Sequence, residues 1–320
     1  MPEAGAEPLL EVLRPGLLSS LQDLGRFGHQ ALGIAESGAM DTWSLVLANR
    51  LLGNPDGACA LEVTLAGPRL RVLAPTCLAL AGADLGAELD GRPLAPGRSF
   101  AARPGQVLSF EGRRRGLRAY LAVPGGFAVP PVLGSRSTYL YAGFGGWEGR
   151  ALRKGDVLPC LAGAQAPAPR QAPPELCRLP EPPHELRVIM GPHLERFTGQ
   201  GVHTFLNAAY RISPQSNRMG YRLEGPALEH SQGPIVVSEA TPPGAVQVPG
   251  RGRPVILLRE RGTTGGYTKI ATVITCDLDR LAQMGDGEEV RFRAVELDTA
   301  HRLERRRWQE MDRWQPAVEG

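Results

Sequence analysis

The sequence lacks the signatures of membrane and nucleic-acid-binding proteins. Its 36 basic and 33 acidic side chains leave a formal net charge of +3 without a long basic block, which argues against nucleic acid as the main partner. No apolar run approaches the roughly 20 residues that cross a bilayer. The N-terminus carries acidic residues where a signal peptide would be basic. We therefore expect a soluble, cytoplasmic protein.

Several site signatures are also missing. The five cysteines form no CxxC pair, so the sequence indicates neither a disulfide framework nor a zinc ribbon. The six histidines show no HxH or HExxH spacing, and we expect no dedicated catalytic metal. There is no GxSxG nucleophile elbow, no Walker phosphate loop and no Ala-Met-Lys-Met pattern for biotin attachment. Any biotin used by this protein must sit on another chain.

Glycine and proline, in contrast, are abundant. The 40 glycines and 29 prolines, in a chain that is 42% hydrophobic, are typical of short strands joined by frequent turns. We predict strands at the apolar runs bounded by Gly, Pro and Asp, which are 76–82, 106–112, 117–125, 186–191, 234–240, 254–260 and 269–275. The sequence therefore predicts a mainly β protein.

Three helices are predicted beside the strands. Asp41 is expected to cap a helix that runs through Leu52, and Asp277 to cap a short helix through Met284. Residues 295–314 form an amphipathic helix whose apolar stripe we expect to pack on its own domain, with a partner groove as the alternative.

A segment rich in proline and alanine divides the chain. We predict an N-terminal β-rich domain over 9–160 and a linker over 161–184. A C-terminal β-rich domain over 185–298 and a helical tail over 299–320 follow.

The loop at residues 21–41 is the first candidate binding site. It combines four glycines with ionisable side chains and leads into the helix that begins near Asp41. Free N–H groups at a helix start can bind a carboxylate or phosphate, although Asp41 can fill that position itself. A helix cap at Asp41 does not explain why Gln22, Asp23 and Arg26 occur together in this loop. We select these three as candidate site residues.

The stretch RGTTGGYTK, residues 261–269, is the second candidate. Its backbone amides and Lys269 can converge on an anion or a carbonyl oxygen, whereas the alternative is a wide hairpin turn with a solvated lysine. Turn-rich segments elsewhere supply further polar candidates. These are Arg136, Thr138, Ser216, Asn217, Arg218, Glu239 and Gln247.

Five stretches in chain order carry a family resemblance. They are LQDLGRFGHQALGIAESGAMD, LANRLLGNPDGACALEVTLAGP, LAVPGGF with VLGSRST, SNRMGYRLEGP, and TTGGYTKIATVITCDLDRLAQ. Together they resemble the family of the 5-oxoprolinase C subunit over roughly residues 9–294. This family is also called the biotin-dependent carboxyltransferase, KipA or allophanate hydrolase subunit 2 family.

The resemblance implies a fold, partners and an activity. The fold would be two cyclophilin-like β-barrel domains with a few short helices. The partners would be a KipI-like protein and a LamB/YcsF-like protein, which together with this chain open 5-oxo-L-proline to L-glutamate at the expense of ATP. One alternative is a carboxyltransferase that moves a carboxyl group from carboxybiotin on a partner to urea or a related amide. The other is a KipA-like regulator that binds a KipI-like partner and has no chemistry of its own.

Candidate residue roles follow from the chemistry of the amide carbonyl that both implied substrates present. Lys269, with Thr264 and the amides of Gly265 and Gly266, would stabilise charge on an amide carbonyl oxygen. A substrate carboxylate would bind Arg136 or Arg218, and Asp23 or Glu239 would act as a base or orient a cation. The remaining predicted substrate-binding residues are Gln22, Arg26, Thr138, Ser216, Asn217, Gln247 and Tyr267. We expect the stretches 21–41 and 261–269 to line one site.

The chain departs from the family pattern around the second candidate stretch. The family usually has Asp-x-Gln before Thr-Thr-Gly-Gly-Tyr and a proline after it. Here Glu260, Arg261 and Gly262 come before this motif, and Thr268 follows it. The missing side-chain amide at Gly262 bears on the substrate rather than on the fold.

Overall fold

The computed structural model describes residues 5–161 and 168–314. Part of the predicted linker, 162–167, and the end of the predicted tail, 315–320, lie outside the described residues. The chain forms two compact units, which we call the N-terminal and C-terminal units. Within the described residues, the N-terminal unit contains 5–27, 37–161, 168–179 and 310–314, and the C-terminal unit contains 28–36 and 180–309.

Strands of the N-terminal unit form two sheets. The strands are β1 (Ala6–Arg14), β2 (Leu18–Gln22), β3 (Ala60–Thr64), β4 (Arg69–Val72), β5 (Thr76–Asp84), β6 (Ala87–Leu89), β7 (Arg92–Pro93), β8 (Arg98–Ala102), β9 (Val107–Phe110), β10 (Arg115–Ala122) and β11 (Val157–Leu161). One sheet has the order β11-β1-β4-β9-β6-β7, and the other has the order β2-β3-β10-β5-β8.

The two sheets of the N-terminal unit share one hydrophobic core. Strand β4 alternates exposed arginines with buried Leu70 and Val72, as expected for a strand with one solvated face. Leu70 belongs to the same buried cluster as Leu61 on β3 and Leu121 on β10, which lie in the other sheet. Full burial of each such side chain contributes about 1.5–3 kcal/mol relative to its exposure in water.

Helix α1 (Thr42–Leu51) packs against β5 and β10 and confirms the predicted cap. The carboxylate of Asp41 accepts hydrogen bonds from the Ser44 main-chain N–H at 2.9 Å and from its hydroxyl at 2.6 Å. The helix start is therefore occupied by the chain's own carboxylate, as expected for an N-cap.

The C-terminal unit contains a closed barrel and a separate two-stranded sheet. Its strands are β12 (His184–Met190), β13 (Tyr210–Ile212), β14 (Gly220–Glu224), β15 (Ile235–Ala240), β16 (Ala245–Gln247), β17 (Val255–Leu257), β18 (Thr264–Tyr267), β19 (Lys269–Val273) and β20 (Glu289–Ala294). The barrel order is β12-β19-β16-β17-β14-β13-β20, closed by parallel pairing of β20 with β12. Strands β15 and β18 form a separate two-stranded sheet. Each of the seven predicted strand segments contains a strand, and the mainly β fold class is confirmed.

Three further helices come after α1 in the chain. They are α2 (Gly199–Asn207), α3 (Thr275–Ala282) and α4 (Leu297–Arg313). Helix α2 was not predicted from the sequence, because two glycines obscure its apolar pattern. Its start is capped by Thr198, whose hydroxyl accepts the Gly201 N–H, and its Phe205 stacks on Phe292 with ring centroids 4.4 Å apart. Helix α4 confirms the predicted tail helix.

Asp277 does not cap helix α3, and that prediction was wrong. The helix begins at Thr275, with Ile274 in the cap position, so Asp277 lies inside the first turn. Its fully buried carboxylate accepts hydrogen bonds from the main-chain N–H of Arg187 at 2.7 Å and from the Nε of that side chain at 2.9 Å. The carboxylate thus joins α3 to β12.

This buried ion pair generates a stability prediction. Asp277→Ala should lower the free energy of unfolding by about 3–5 kcal/mol, because the Arg187 guanidinium would lose its partner in a largely buried position. Urea-induced unfolding followed by circular dichroism measures the change.

The exposed pair between Arg211 and Glu289 provides the matched control in the same unit. Glu289→Ala should cost about 1 kcal/mol at most, since exposed ion pairs contribute little. An equal loss of stability in both variants would contradict a stabilising role for the buried pair.

Candidate functional site

Asp23 organises a polar cluster in the N-terminal unit. Its carboxylate accepts hydrogen bonds from the Gly25 N–H at 2.8 Å, the Ser135 hydroxyl at 2.7 Å and the Arg136 N–H at 2.5 Å. The Ser137 hydroxyl donates to it as well. These donors come from residues 25 and 135–137, so the carboxylate holds two loops together.

Other predicted residues belong to the same cluster. Thr138 is fully buried, and its carbonyl oxygen accepts hydrogen bonds from Gln22 and from the Ser37 hydroxyl. The guanidinium of Arg26 is also fully buried and donates to the carbonyl oxygens of Val132 and Ser137. The cluster therefore positions its own loops, and substrate binding by Gln22, Arg26 and Thr138 remains a prediction.

Arg136 lies at the edge of this cluster and is half-buried. Its main-chain N–H binds Asp23, and its Nε donates to the Val129 carbonyl oxygen at 2.9 Å. The structure thus brings five predicted residues of the N-terminal unit together, namely Gln22, Asp23, Arg26, Arg136 and Thr138.

Residues 28–36 of the candidate loop at 21–41 belong to the C-terminal unit. There, Oε1 of Glu36 accepts hydrogen bonds from Gln30 at 2.9 Å and from the buried Arg261 at 3.4 Å. Arg261 also donates to the Thr241 carbonyl oxygen at 2.7 Å. Desolvation lowers the pKa of Arg261, while Glu36 opposes that shift. Residue 36 of the first candidate stretch and residue 261 of the second are therefore in contact.

Lys269 is the centre of a second cluster, which lies within the C-terminal unit. Its buried Nζ lies 2.5 Å from Oε1 of Glu239, a residue on the exposed sheet formed by β15 and β18. Nε2 of His193 lies 3.3 Å from the same oxygen, and Nδ1 of His193 accepts the Lys269 main-chain N–H at 3.0 Å. The hydrogen bond from Lys269 lowers the pKa of the Glu239 carboxyl. A cation, a carboxylate and an imidazole are thus in direct contact.

A shift in register places Gln247 beside Lys269. Strands β16 and β19 pair Val246 with Ala271 but Gln247 with Lys269, so one residue of β19 is bulged out of the ladder. Residues directly opposite each other in a ladder share a face of the sheet. Nε2 of Gln247 is buried and has no hydrogen-bond partner within residues 5–161 and 168–314, so it is a donor on the strand opposite Lys269.

The TTGGY motif is a strand rather than the loop that the sequence suggested. Thr264–Tyr267 pairs with β15 and places Gly265 opposite Glu239. Thr264 and Tyr267 are exposed, and Gly266 is half-buried. A Cβ at Gly265 would lie 2.5 Å from Nε2 of Gln247, so the absence of a side chain at this position leaves room for the carboxamide.

Ser216, Asn217 and Arg218 lie in a separate turn. The Ser216 hydroxyl accepts the Arg222 N–H, and Oδ1 of Asn217 accepts the Met219 N–H, as in an Asx turn. The buried guanidinium of Arg218 binds Glu260 at 2.6 Å. Binding of a substrate carboxylate by Arg218 remains a prediction and would require exchange of this partner.

His193 was not among the residues predicted for the site. No histidine spacing distinguishes it, and it reaches Lys269 because Gly191 lets the chain after β12 pass close to β19. A Cβ at Gly191 would lie 2.4 Å from the Lys269 carbonyl oxygen. This close approach depends on tertiary structure and has no local signal in the sequence.

Two further findings concern metals and membranes. Within residues 5–161 and 168–314, no three His, Cys, Asp or Glu side chains are grouped as metal ligands. None of the helices in the same ranges has the length and apolar character needed to span a bilayer.

Comparison with known proteins identifies the family. The family model described as carboxyltransferase domain, subdomain A and B, matches residues 32–294. The chain belongs to this family.

Individual members of the carboxyltransferase-domain family agree with this assignment. The C subunit of 5-oxoprolinase from Escherichia coli K12 is 37% identical over 292 residues, which are 91% of this chain and 93% of that protein. The urea amidolyase of Lachancea kluyveri is 33% identical over 92% of this chain but only 17% of its own length. The crystal structure of K. lactis urea amidolyase matches with a TM-score of 0.90 and 31% identity, over 96% of this chain and 20% of that one.

Thr268, one of the departures from the pattern that the resemblance implies, has structural contacts of its own. Its main-chain N–H donates to the Pro234 carbonyl oxygen at 2.9 Å, a bond that proline cannot make. Its buried hydroxyl bonds with His230 at 2.9 Å. This departure therefore supports the local fold, whereas the effect of Gly262 on the substrate remains a prediction.

The packing of Gly265 against Gln247 can be tested. Gly265→Ala should displace the Gln247 carboxamide and lower the free energy of unfolding by about 1–3 kcal/mol, as overpacking does. Side-chain amide resonances of Gln247 and urea unfolding measure these two effects.

Gly262→Ala is the matched control, because its Cβ would approach only the Thr264 carbonyl oxygen, at 3.3 Å. It should leave the Gln247 resonances in place and change the free energy of unfolding by about 0.5 kcal/mol at most. If both variants shift Gln247 equally, the contact is not specific to Gly265.

The ion pair of Glu239 with Lys269 leads to a pH prediction. A depressed pKa means that the folded state favours ionised Glu239, so this contribution to stability is present above the unfolded pKa and is lost as pH falls through the folded pKa. Lys269→Met should therefore raise the pKa of Glu239 toward its ordinary value. Carbon-13 NMR of the glutamate carboxyls measures the titration, with the exposed Lys154→Met as control. An unchanged Glu239 titration in Lys269→Met would show that the pair does not form.

Proposed function

We propose that this chain is the C subunit of an ATP-dependent 5-oxoprolinase that opens 5-oxo-L-proline to L-glutamate. It would act with a LamB/YcsF-like protein and a KipI-like protein as the other two subunits. The likeness to the C subunit of the E. coli enzyme, over nearly the full length of both chains, supports this proposal. The name of that relative describes one subunit of several, so we propose that the other subunits contribute to the reaction.

The observation that carries the proposal is the pair of donors beside an acceptor carboxylate. Lys269 Nζ and Nε2 of Gln247, which has no hydrogen-bond partner among the described residues, come from adjacent strands, and Glu239 lies next to Lys269. A lactam carbonyl oxygen accepts hydrogen bonds and gains negative charge when the ring carbon is attacked. Preorganised donors at that oxygen each contribute about 3–4 kcal/mol to transition-state stabilisation.

Glu239 completes the proposed arrangement. Its side chain is 43% exposed, unlike the buried Lys269, so it is accessible to water and substrate. A carboxylate that is ionised at neutral pH can accept a proton from an attacking group. Lys269 thus has two roles in this proposal, since it stabilises the carbonyl oxygen and holds Glu239 in place.

ATP, which the resemblance implies, would bind in a site that this chain shares with the partner proteins. Phosphates bind helix starts whose N–H groups are available. The start of α1 is occupied by Asp41 and that of α2 by Thr198. Helices α3 and α4 carry acidic residues in their first turns, namely Asp277, which is paired with Arg187, and Asp298. We therefore place no phosphate at these helix starts and route no step through ATP on this chain.

A second candidate function is carboxyl transfer to urea or a related amide. The match to urea amidolyase, with a TM-score of 0.90, favours it. Urea also presents a carbonyl oxygen to the donors at Lys269 and Gln247. Biotin would be carried by a partner in that case, because this sequence has no Ala-Met-Lys-Met attachment pattern.

Reconstitution tests the proposed function directly. The purified chain alone should not hydrolyse 5-oxo-L-proline, whereas its mixture with the LamB/YcsF-like and KipI-like proteins and ATP should release glutamate and ADP without biotin. Biotin-dependent carboxylation of urea would contradict the proposal in favour of the carboxyltransferase. Partner binding without turnover of either substrate would instead favour the KipA-like regulator.

Lys269 can be tested in the same complex. Lys269→Met should lower kcat/KM at least about tenfold, equivalent to about 1.4 kcal/mol, because the cation at the carbonyl oxygen is lost. The chain has one other lysine, the exposed Lys154, and Lys154→Met is the matched control. Equal activity of the two variants, both folded and assembled, would exclude Lys269 from the reaction.

A further inference from the structure

The two ring nitrogens of His193 have different partners. Nδ1 accepts a hydrogen bond from the Lys269 main-chain N–H, which can only donate. The neutral ring therefore carries its proton on Nε2, which lies 3.3 Å from Oε1 of Glu239. His193 thus faces Glu239 with an N–H and not with a lone pair, and its Nδ1 lone pair is used by the Lys269 main-chain N–H.

The backbone around His193 fixes the position of the ring. The chain leaves β12 at Met190, and the Gly191 N–H donates to the Ile270 carbonyl oxygen at 2.7 Å. His193 then precedes a short 3-10 helix, Leu194–Arg196, and its side chain is 14% exposed. The imidazole is consequently tied to the same segment of β19 that carries Lys269.

Glu239 has no comparable support from its own strand. Strand β15 is exposed along most of its length, and the two-stranded sheet has no further strand beside it among the described residues. Charged groups approach Glu239 from two elements, Lys269 from β19 and His193 from the segment after β12. The paired strand β18 places the uncharged Gly265 opposite Glu239. Both groups lie nearest to the same oxygen, Oε1.

We propose that His193 is a positioning residue that holds the Glu239 carboxylate beside Lys269 for proton transfer during amide opening. This inference rests on the proposed function, in which Glu239 accepts the proton. His193 restricts rotation of a side chain that is otherwise exposed to solvent, and it acts through Glu239 rather than on the substrate.

Two substitutions distinguish the roles of the two ring nitrogens of His193. His193→Asn retains an acceptor near Nδ1 for the Lys269 N–H but removes the donor to Glu239. His193→Gln provides an amide donor near Nε2. Loss of a donor to an ionised carboxylate raises the pKa of that carboxylate. We expect His193→Asn to raise the pKa of Glu239 in carbon-13 NMR titrations of the chain alone, and His193→Gln to leave it near the wild-type value.

The reconstituted complex provides the second readout. His193→Asn should lower kcat/KM about tenfold or more and move the acid limb of its pH profile to higher pH, while His193→Gln should stay within about threefold of wild type. If both variants titrate and turn over alike, His193 has no positioning role. If the expected NMR shift occurs but the wild-type complex does not open 5-oxo-L-proline, the contact stands and the proposed function fails. The combination of an NMR shift with unchanged turnover by an active complex would also overturn the proposal.

Discussion

The shift in register between β16 and β19 determines where the candidate site lies. With uninterrupted pairing, Gln247 would oppose Ile270, and Lys269 would lie opposite a different residue. Because side chains alternate between the two faces of a strand, a one-residue shift turns a side chain to the other face. The bulge brings the Lys269 cation and the Gln247 amide to one place. Gly191 and Gly265 then leave room for the segment that carries His193 and for the Gln247 carboxamide.

The two polar clusters differ in how their hydrogen bonds are used. In the N-terminal unit, the Asp23 carboxylate accepts four donors from its own loops, and Arg26 binds two carbonyl oxygens. In the C-terminal unit, Nε2 of Gln247 is buried without a hydrogen-bond partner in the described part of the chain, near an ion pair that is open to solvent on its Glu239 side. Gln22 Oε1 in the N-terminal cluster is likewise buried without a hydrogen-bond partner among the described residues, so the solvent-accessible ion pair is what distinguishes the C-terminal cluster. The C-terminal cluster is therefore the better candidate for chemistry.

Local sequence patterns predicted much of the fold but only part of the site. The Asp41 cap and the apolar strand segments depend on near neighbours in the chain, and they were predicted correctly. Asp277 carries the same cap signal, yet its carboxylate binds Arg187, which is 90 residues away in sequence. The glycines of the second stretch suggested a loop, but Gly265 lies in a strand. Glycine is required there because Gln247 occupies the space that a side chain would fill. His193 could not be found, since only the fold of the barrel brings it to Lys269.

A crystal structure of the assembled complex with 5-oxo-L-proline would test the central claim most directly. The account predicts that the lactam carbonyl oxygen lies within about 2.7–3.2 Å of Lys269 Nζ or Gln247 Nε2, in the range of hydrogen bonds. It also predicts that Glu239 remains in contact with Lys269 and His193. A substrate bound at the Asp23 cluster, or on a partner protein far from Lys269, would contradict the account.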